Sequence, residues 1–339
     1  VPVEGAEAVR DGIVRIDCAV VDIGSGQFLV AGGCADHPSR SSKFFASAFL
    51  YDSVTHVATP LPDMPHPRHG CSGAYLDGVV YIVGGVYVAL GFADCALCCA
   101  FDTKTRRWRN LTAPPPPNAD NIAFCPVGAI EGRVVLYSGG STVAFNPLQP
   151  EVGWTCCWRR GDFDVHRILG DNACEGVVWG RHFVVSAGRG GSPVCEVMTF
   201  SFLHAASSFE SDGDETEPRA LWTAGQWARL GETGPSGRVG CGLAIVHERL
   251  YVSGGVNELA GGGGQFDGSV ARWTGLLANL PEAPNAEQLA DADAVRRLRS
   301  DCIDCQKPWN KMERLGLPTA MHAHKAITVP WLPWSDTTS

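Results

Sequence analysis

No apolar run in this chain of 339 residues is long enough to cross a bilayer as a helix, and the opening VPVEGAEAVRDG holds no apolar core of the signal-peptide kind. The chain begins at Val1, which leaves a leader or preceding domain open. Charged residues are sparse at 19%, and the net charge is −9. A surplus of cations is therefore missing, which argues against general binding to a nucleic-acid backbone or an anionic lipid surface. No HExxH helix, phosphate loop or Ser-His-Asp order is present. The four-glycine run Gly261 to Gly264 lacks the Lys-Ser/Thr of a nucleotide loop and reads as a flexible connection. What the chain has in quantity is turn-forming residues. Its 40 glycines and 22 prolines suit many short strands with tight turns rather than long helices.

Those strands repeat. Arg68 to Gly85 reads RHGCSGAYLDGVVYIVGG, two short apolar strands joined at Asp77-Gly78, a pair that accepts positive φ in a tight hairpin. The second strand closes on Gly84-Gly85, where a side chain would obstruct close backbone approach. The layout recurs from Cys18 to Gly33, Cys125 to Gly140, Cys174 to Gly188 and Cys241 to Gly255, with 14 or 15 positions from cysteine to closing glycine. The closing pairs are Gly32-Gly33, Gly139-Gly140 and Gly254-Gly255, and the fourth unit closes on Ala187-Gly188. A third strand is expected over Ala46 to Tyr51, Ala96 to Phe101, Thr142 to Phe145, Val194 to Phe202 and Val270 to Trp273. A fourth strand follows, opened by Trp108, by Trp154 or Trp158, by Trp227 and by Trp309, with Ala58 at that place in the first unit. Such an array uses residues 1–339 as one domain.

A glycine-pair strand end, an aromatic residue before a turn and then a tryptophan resemble the kelch repeat. Closing glycines are 52, 55, 48 and 67 residues apart, against a period of roughly 50 for that repeat. The resemblance covers nearly the whole chain and implies an all-β fold, a propeller of four-stranded antiparallel blades. The chain departs from the family in carrying Cys71 and Cys241 where kelch first strands carry His. Six blades are expected, with five as the alternative, because Pro318 to Val329 reads as a further first strand with His324 aligned to Cys241. Two insertions fall between third and fourth strands. Residues 203–226 carry the acidic run Glu210, Asp212, Asp214, Glu215 and Glu217. Residues 275–305 carry a helix expected over 284–301, capped at Pro284-Asn285. Strands alternate in direction, so both insertions leave one face of the disc.

Among chemistry-bearing residues, the fourteen cysteines come first. Cys18, Cys71, Cys125, Cys174 and Cys241 would ring the axis. That register suits a small buried hydrophobe better than metal or redox chemistry, and the fourteen read as mostly free, buried thiols in a reducing, cytoplasmic compartment. Cys302 and Cys305 form a CxxC, an incomplete zinc ligand set, and His322 and His324 share one strand face, which makes these four the weak metal candidates. Cys95 and Cys98 have the same spacing, but in a strand they point to opposite faces. His66 and His69 flank Arg68 with no carboxylate nearby in sequence beyond Asp63.

The resemblance implies a non-catalytic scaffold or adaptor with protein partners docking on loop faces, cytoskeletal or within a larger complex, and with no cofactor. The acidic run and Arg296, Arg297 and Arg299 are the partner-binding candidates. The alternatives are the substrate-recognition part of a ubiquitin ligase, or an enzyme on the same fold. Kelch-type propellers include copper-dependent galactose oxidases and sialic-acid epimerases. A radical copper site needs two tyrosines, two histidines and a cysteine crosslink, and five of the six tyrosines here have strand or turn places. No Glu-x3-Asp-x3-His spacing for iron is present, nor a BTB or F-box segment.

Overall fold

The computed structural model describes residues 15–34, 44–86, 98–111, 122–138, 141–159, 175–188, 195–202, 225–232, 242–246, 249–253, 256–258, 264–266, 269–272 and 315–316. Among these residues, five four-stranded antiparallel sheets follow one another along the chain as propeller blades. The first blade holds β1 (Ala19–Gly24), β2 (Gln27–Ala31), β3 (Ala48–Asp52) and β4 (Ala58–Leu61). The second holds β5 (Ser72–Leu76), β6 (Val79–Val83), β7 (Cys99–Asp102) and β8 (Arg107–Asn110). The third holds β9 (Val127–Ile130), β10 (Arg133–Ser138), β11 (Ser141–Phe145) and β12 (Trp154–Arg159). The fourth holds β13 (Glu175–Trp179), β14 (His182–Gly188), β15 (Cys195–Phe202) and β16 (Gly225–Glu232). In the fifth, β17 (Gly242–Val246) and β18 (Arg249–Ser253) are joined by β21 (Ser269–Arg272) and β22 (Leu315–Gly316). Between them β19 (Val256–Glu258) and β20 (Gly264–Phe266) pair as a separate ribbon, so Gly264 opens a strand within the stretch expected to be a plain connection. The segment 318–329 and the helix expected over 284–301 lie outside the described residues.

Each first strand packs against the first strand of the next blade, β1 on β5, β5 on β9, β9 on β13 and β13 on β17. First strands therefore line the axis and fourth strands face outward. Hairpin chemistry sets the inner pairs. Asp77 and Gly78 take φ of 48° and 83°, and Glu131 and Gly132 take 49° and 70°, the double positive φ of a two-residue turn matched to strand twist. The third-to-fourth turn has its own device. Asp52 Oδ1 accepts from the amides of Val54 and Thr55 at 3.0 and 2.8 Å, and Asp102 Oδ1 accepts from Lys104 and Thr105 at 2.9 and 2.8 Å.

The core lies between blades rather than within them. Ala19, Val21, Leu29 and Ala31 of blade one pack on Val80, Ile82, Cys99 and Phe101 of blade two. Equivalent clusters join blade two to three and three to four, the last around Phe183, Met198, Phe200 and Trp227. The tryptophans occupy one register: Phe101 pairs with Trp108, Phe145 with Trp154 and Phe200 with Trp227. Trp154 is thus the residue that opens the third blade's fourth strand. Trp158 is displaced by a bulge that leaves Cys157 extra between Val143 and Thr142. Ala58 pairs with Tyr51 at the same place in blade one. In blade five the fourth strand is Leu315–Gly316, six residues past Trp309 (315 − 309), and Trp309 lies outside the described residues.

Candidate functional site

At the end of the disc where first strands begin and second strands finish, the repeat builds a layered cluster. Arg15 and Arg68 stand three residues before Cys18 and Cys71 and perform one task in successive blades. Arg15 Nη1 donates to Gly32 O at 3.0 Å, and Arg68 Nη1 donates to Gly84 O at 3.1 Å. Each guanidinium thus binds the carbonyl of the first glycine in its own closing pair. Arg15 also donates to Ser47 O at 2.8 Å and Ser47 Oγ at 2.7 Å, and it lies over the Phe45 and Phe49 rings. Burial pushes the Arg15 guanidinium down, opposed by Cys18 and Asp63. Arg68 is only 2% exposed.

The backbone between these arginines and cysteines is equally regular. Asp17, Gly70 and Phe124 each precede a repeat cysteine, and their φ values are 57°, 64° and 57°. The amide of Gly70 donates to Asp17 O at 2.7 Å, and that of Phe124 donates to Gly70 O at 2.7 Å. Hydrogen bonds therefore run from blade to blade around the axis. The closing glycines fit into this chain. Gly84 has φ of 67°, and a Cβ there would run into the carbonyl of Ile122 in the neighbouring blade. Only glycine meets both demands.

Three side chains converge beside it. Asp17 precedes β1, Cys34 follows β2 and His69 precedes β5, and one ligand-type atom from each lies within 4.8 Å of the others. His69 Nδ1 is 3.6 Å from Asp17 Oδ2, and the two side chains are 6% and 8% exposed. The imidazole stacks on Phe44 at 4.6 Å and 18° and meets the edge of Phe124 at 5.9 Å. Cys34 is fully buried, its thiol 3.8 Å from Ile16 O, and its backbone bridges to Ile16.

The opposite end carries the third-to-fourth turns. Val54 and Val57 of blade one are 56% and 43% exposed, and Leu148 and Val152 of blade three are 88% and 53% exposed. Blade two lies between them and offers exposed Lys104, Arg106 and Arg107. Phe202 ends β15 and Gly225 begins β16 at this end, as Arg272 ends β21 and Leu315 begins β22.

Of the residues singled out from sequence, Gly32-Gly33 follow β2, Gly84-Gly85 follow β6 and Gly188 ends β14, while the Trp108 and Trp227 indoles donate to Pro62 O and Thr142 Oγ1 of the preceding blades. Glu210, Asp212, Asp214, Glu215, Glu217, Arg296, Arg297, Arg299, Cys302, Cys305, His322, His324, Gly139, Gly140, Gly254 and Gly255 lie outside the described residues. Cys18, Cys34, Cys71, Cys98, Cys99, Cys125, Cys156 and Cys157 are in no disulfide. Burial pushes the Cys98 thiol up to about 11, and Cys99 and Cys157 up to about 12, so these three are protonated packing groups. Sequence reading passed over the arginines. Their signal is the shared Arg-x-x-Cys spacing at 15–18, 68–71 and 238–241. The Asp17-Cys34-His69 group has no such signal, because its members sit at three different repeat positions.

No family model matches the chain. An F-box/kelch-repeat protein of Arabidopsis thaliana is 33% identical over 94 residues, 27% of this chain and 21% of the relative. A kelch repeat-containing protein of the same plant is 25% identical over 130 residues, 38% of this chain and 30% of the relative. The match thus spans under a third of either relative's length. Among solved structures, YjhT superposes with a TM-score of 0.53 at 14% identity, covering 77% of this chain and 82% of that one. That likeness concerns the fold alone. No helix among the described residues is long and apolar enough to cross a membrane.

Proposed function

Because the chain is a kelch-type β-propeller, we propose that it is a non-catalytic protein-interaction platform whose partner docks on the third-to-fourth end of the disc. The carrying observation is the set of exposed apolar residues there, Val54, Val57, Leu148 and Val152, on blades that flank exposed Lys104, Arg106 and Arg107. Large aliphatic groups on turns gain little from water and much from a partner's apolar surface, while cations between them set orientation. The strand ends that flank the two insertions lie at this end, and in this reading their charged residues, the acidic run 210–217 and Arg296, Arg297 and Arg299, add to the docking surface.

A more specific form is the substrate-recognition part of a ubiquitin ligase, presenting a bound protein for modification. It is supported by relatives that are F-box/kelch-repeat proteins. The test is co-precipitation from source cells with the intact chain, with a Val54→Glu and Leu148→Glu double variant, and with a variant deleted for 207–217. Partners kept by the intact chain and lost by the double variant at unchanged melting temperature support the platform. Retention of every partner by both variants overturns docking at this end. A ligase subunit among the captured proteins selects the second form.

A further inference from the structure

We propose that Asp17, Cys34 and His69 form a divalent-metal site, and that zinc is the ion their chemistry selects. The site goes beyond the docking role and lies at the opposite end of the disc. The separation of His69 Nδ1 from Asp17 Oδ2, 3.6 Å, is close to the roughly 3.4 Å between two ligands each about 2.05 Å from a tetrahedral zinc. All three ligand atoms lie within 4.8 Å of one another.

A second observation points to a ligand. His69 Nδ1 is buried and has no hydrogen-bond partner among the described residues. An imidazole nitrogen left so in the interior is costly. Asp17 does not satisfy it with a hydrogen bond, since 3.6 Å is well beyond the roughly 2.7–2.9 Å of a charge-assisted one. A metal between them would. The ring is held in place by its stack on Phe44 and its edge contact with Phe124. Asp17 is held by its carbonyl, which accepts from Gly70.

The donor set decides the ion. Carboxylate and thiolate together carry two negative charges, which a divalent cation neutralises, and neutral imidazole completes a mixed O, S and N set. A thiolate disfavours magnesium and calcium, and a single cysteine is too few for an iron–sulfur cluster. Three protein ligands leave a fourth position for water or an outside group. Two ligands flank the inner strands of blade one and the third enters blade two, so the ion would clamp the first two blades together.

The test uses the purified full chain loaded with zinc, and in parallel with cobalt as a spectroscopic reporter. One tightly held zinc per chain is expected, and X-ray absorption at the zinc edge should show one sulfur beside nitrogen and oxygen ligands. Cobalt should give thiolate-to-metal charge-transfer absorption that Cys34→Ser removes. Asp17→Asn keeps the left-handed backbone, since asparagine adopts it readily. It should lower zinc affinity in a chelator competition by at least the roughly 10- to 100-fold that loss of an outer-shell partner costs. An all-sulfur or sulfur-free zinc environment in the wild-type chain overturns the site without need of any variant. So does a cobalt spectrum and zinc affinity unchanged in both substitutions, which would put the metal on other cysteines.

Discussion

The Trp227 indole Nε1 donates a 2.8 Å hydrogen bond to Thr142 Oγ1, joining the fourth strand of blade four to the third strand of blade three across 85 residues of sequence. Both partners are buried, at 8% and 0% exposure. Trp227→Phe and Thr142→Val each leave one buried polar group unpaired, a loss of about 1–3 kcal/mol apiece. The double variant leaves none, so its loss should fall short of the sum, with a coupling of about 0.5–3 kcal/mol in urea unfolding. Simple additivity would show that the bond does not join the blades.

The aspartates of the third-to-fourth turns give the fold an acid-sensitive element. Hydrogen bonds from the Thr55 amide to Asp52, and from the Thr105 amide to Asp102, hold both carboxyls below their ordinary value. A lowered folded value means that the unfolded chain takes up protons first. The stabilisation is therefore complete above the ordinary carboxylate value of about 3.9 and is lost as pH falls below it toward the folded value. Asparagine keeps the accepting oxygen but does not titrate. The double variant Asp52→Asn, Asp102→Asn should show a shallower fall in melting temperature between about pH 5 and pH 2. Matching slopes for variant and wild type would refute the assignment.

Gly84 and Gly132 both have positive φ, at 67° and 70°, but only Gly84 faces a neighbour. Gly132→Ala meets nothing within 4 Å and should cost only the backbone term, about 1 kcal/mol. Gly84→Ala drives a methyl into Ile122 O of the next blade and should cost clearly more. Chemical denaturation of the pair separates strain from collision, and equal losses would mean that the blades give way at that point.

Cys98, Cys99 and Cys157 should resist alkylation at pH 8 in the native chain, because burial raises their thiols to about 11, 12 and 12. Peptide mass spectrometry before and after unfolding reads this directly. Native-state labelling at any of the three would contradict their placement as inert packing.

The blades themselves were legible because glycine pairs, Asp-Gly turns and tryptophans carry backbone demands that no neighbour can alter. Asp77-Gly78 turns as its composition requires, and Trp108 and Trp227 lie second in β8 and third in β16. What escaped depended on register. Choosing Trp154 over Trp158 required the bulge that leaves Cys157 extra, which periodicity cannot show. The fourth strand of blade five falls at Leu315–Gly316 because pairing with Ser269 and Val270 places it there, whatever aromatic residue precedes it. In sequence, Asp63 is the carboxylate nearest His69. The fold instead supplies Asp17, 52 residues away (69 − 17), because successive blades bring their first-strand entries side by side.

The indole bonds also have a direction in time. Trp108 donates to Pro62 O at 2.7 Å and Trp227 to Thr142, so in both cases the acceptor is made on the ribosome before its donor. A newly emerged blade thus meets a finished neighbour with the waiting acceptor already in place, and never has to hold one open for a successor. Growth of the disc from its amino-terminal side can proceed one blade at a time as the chain is synthesised. A circular permutant beginning at blade three keeps the Trp227 bond in that order. It reverses the order of none of these pairs unless the cut falls between donor and acceptor, so cuts at 63–107 and 143–226 should be the ones that slow refolding during synthesis.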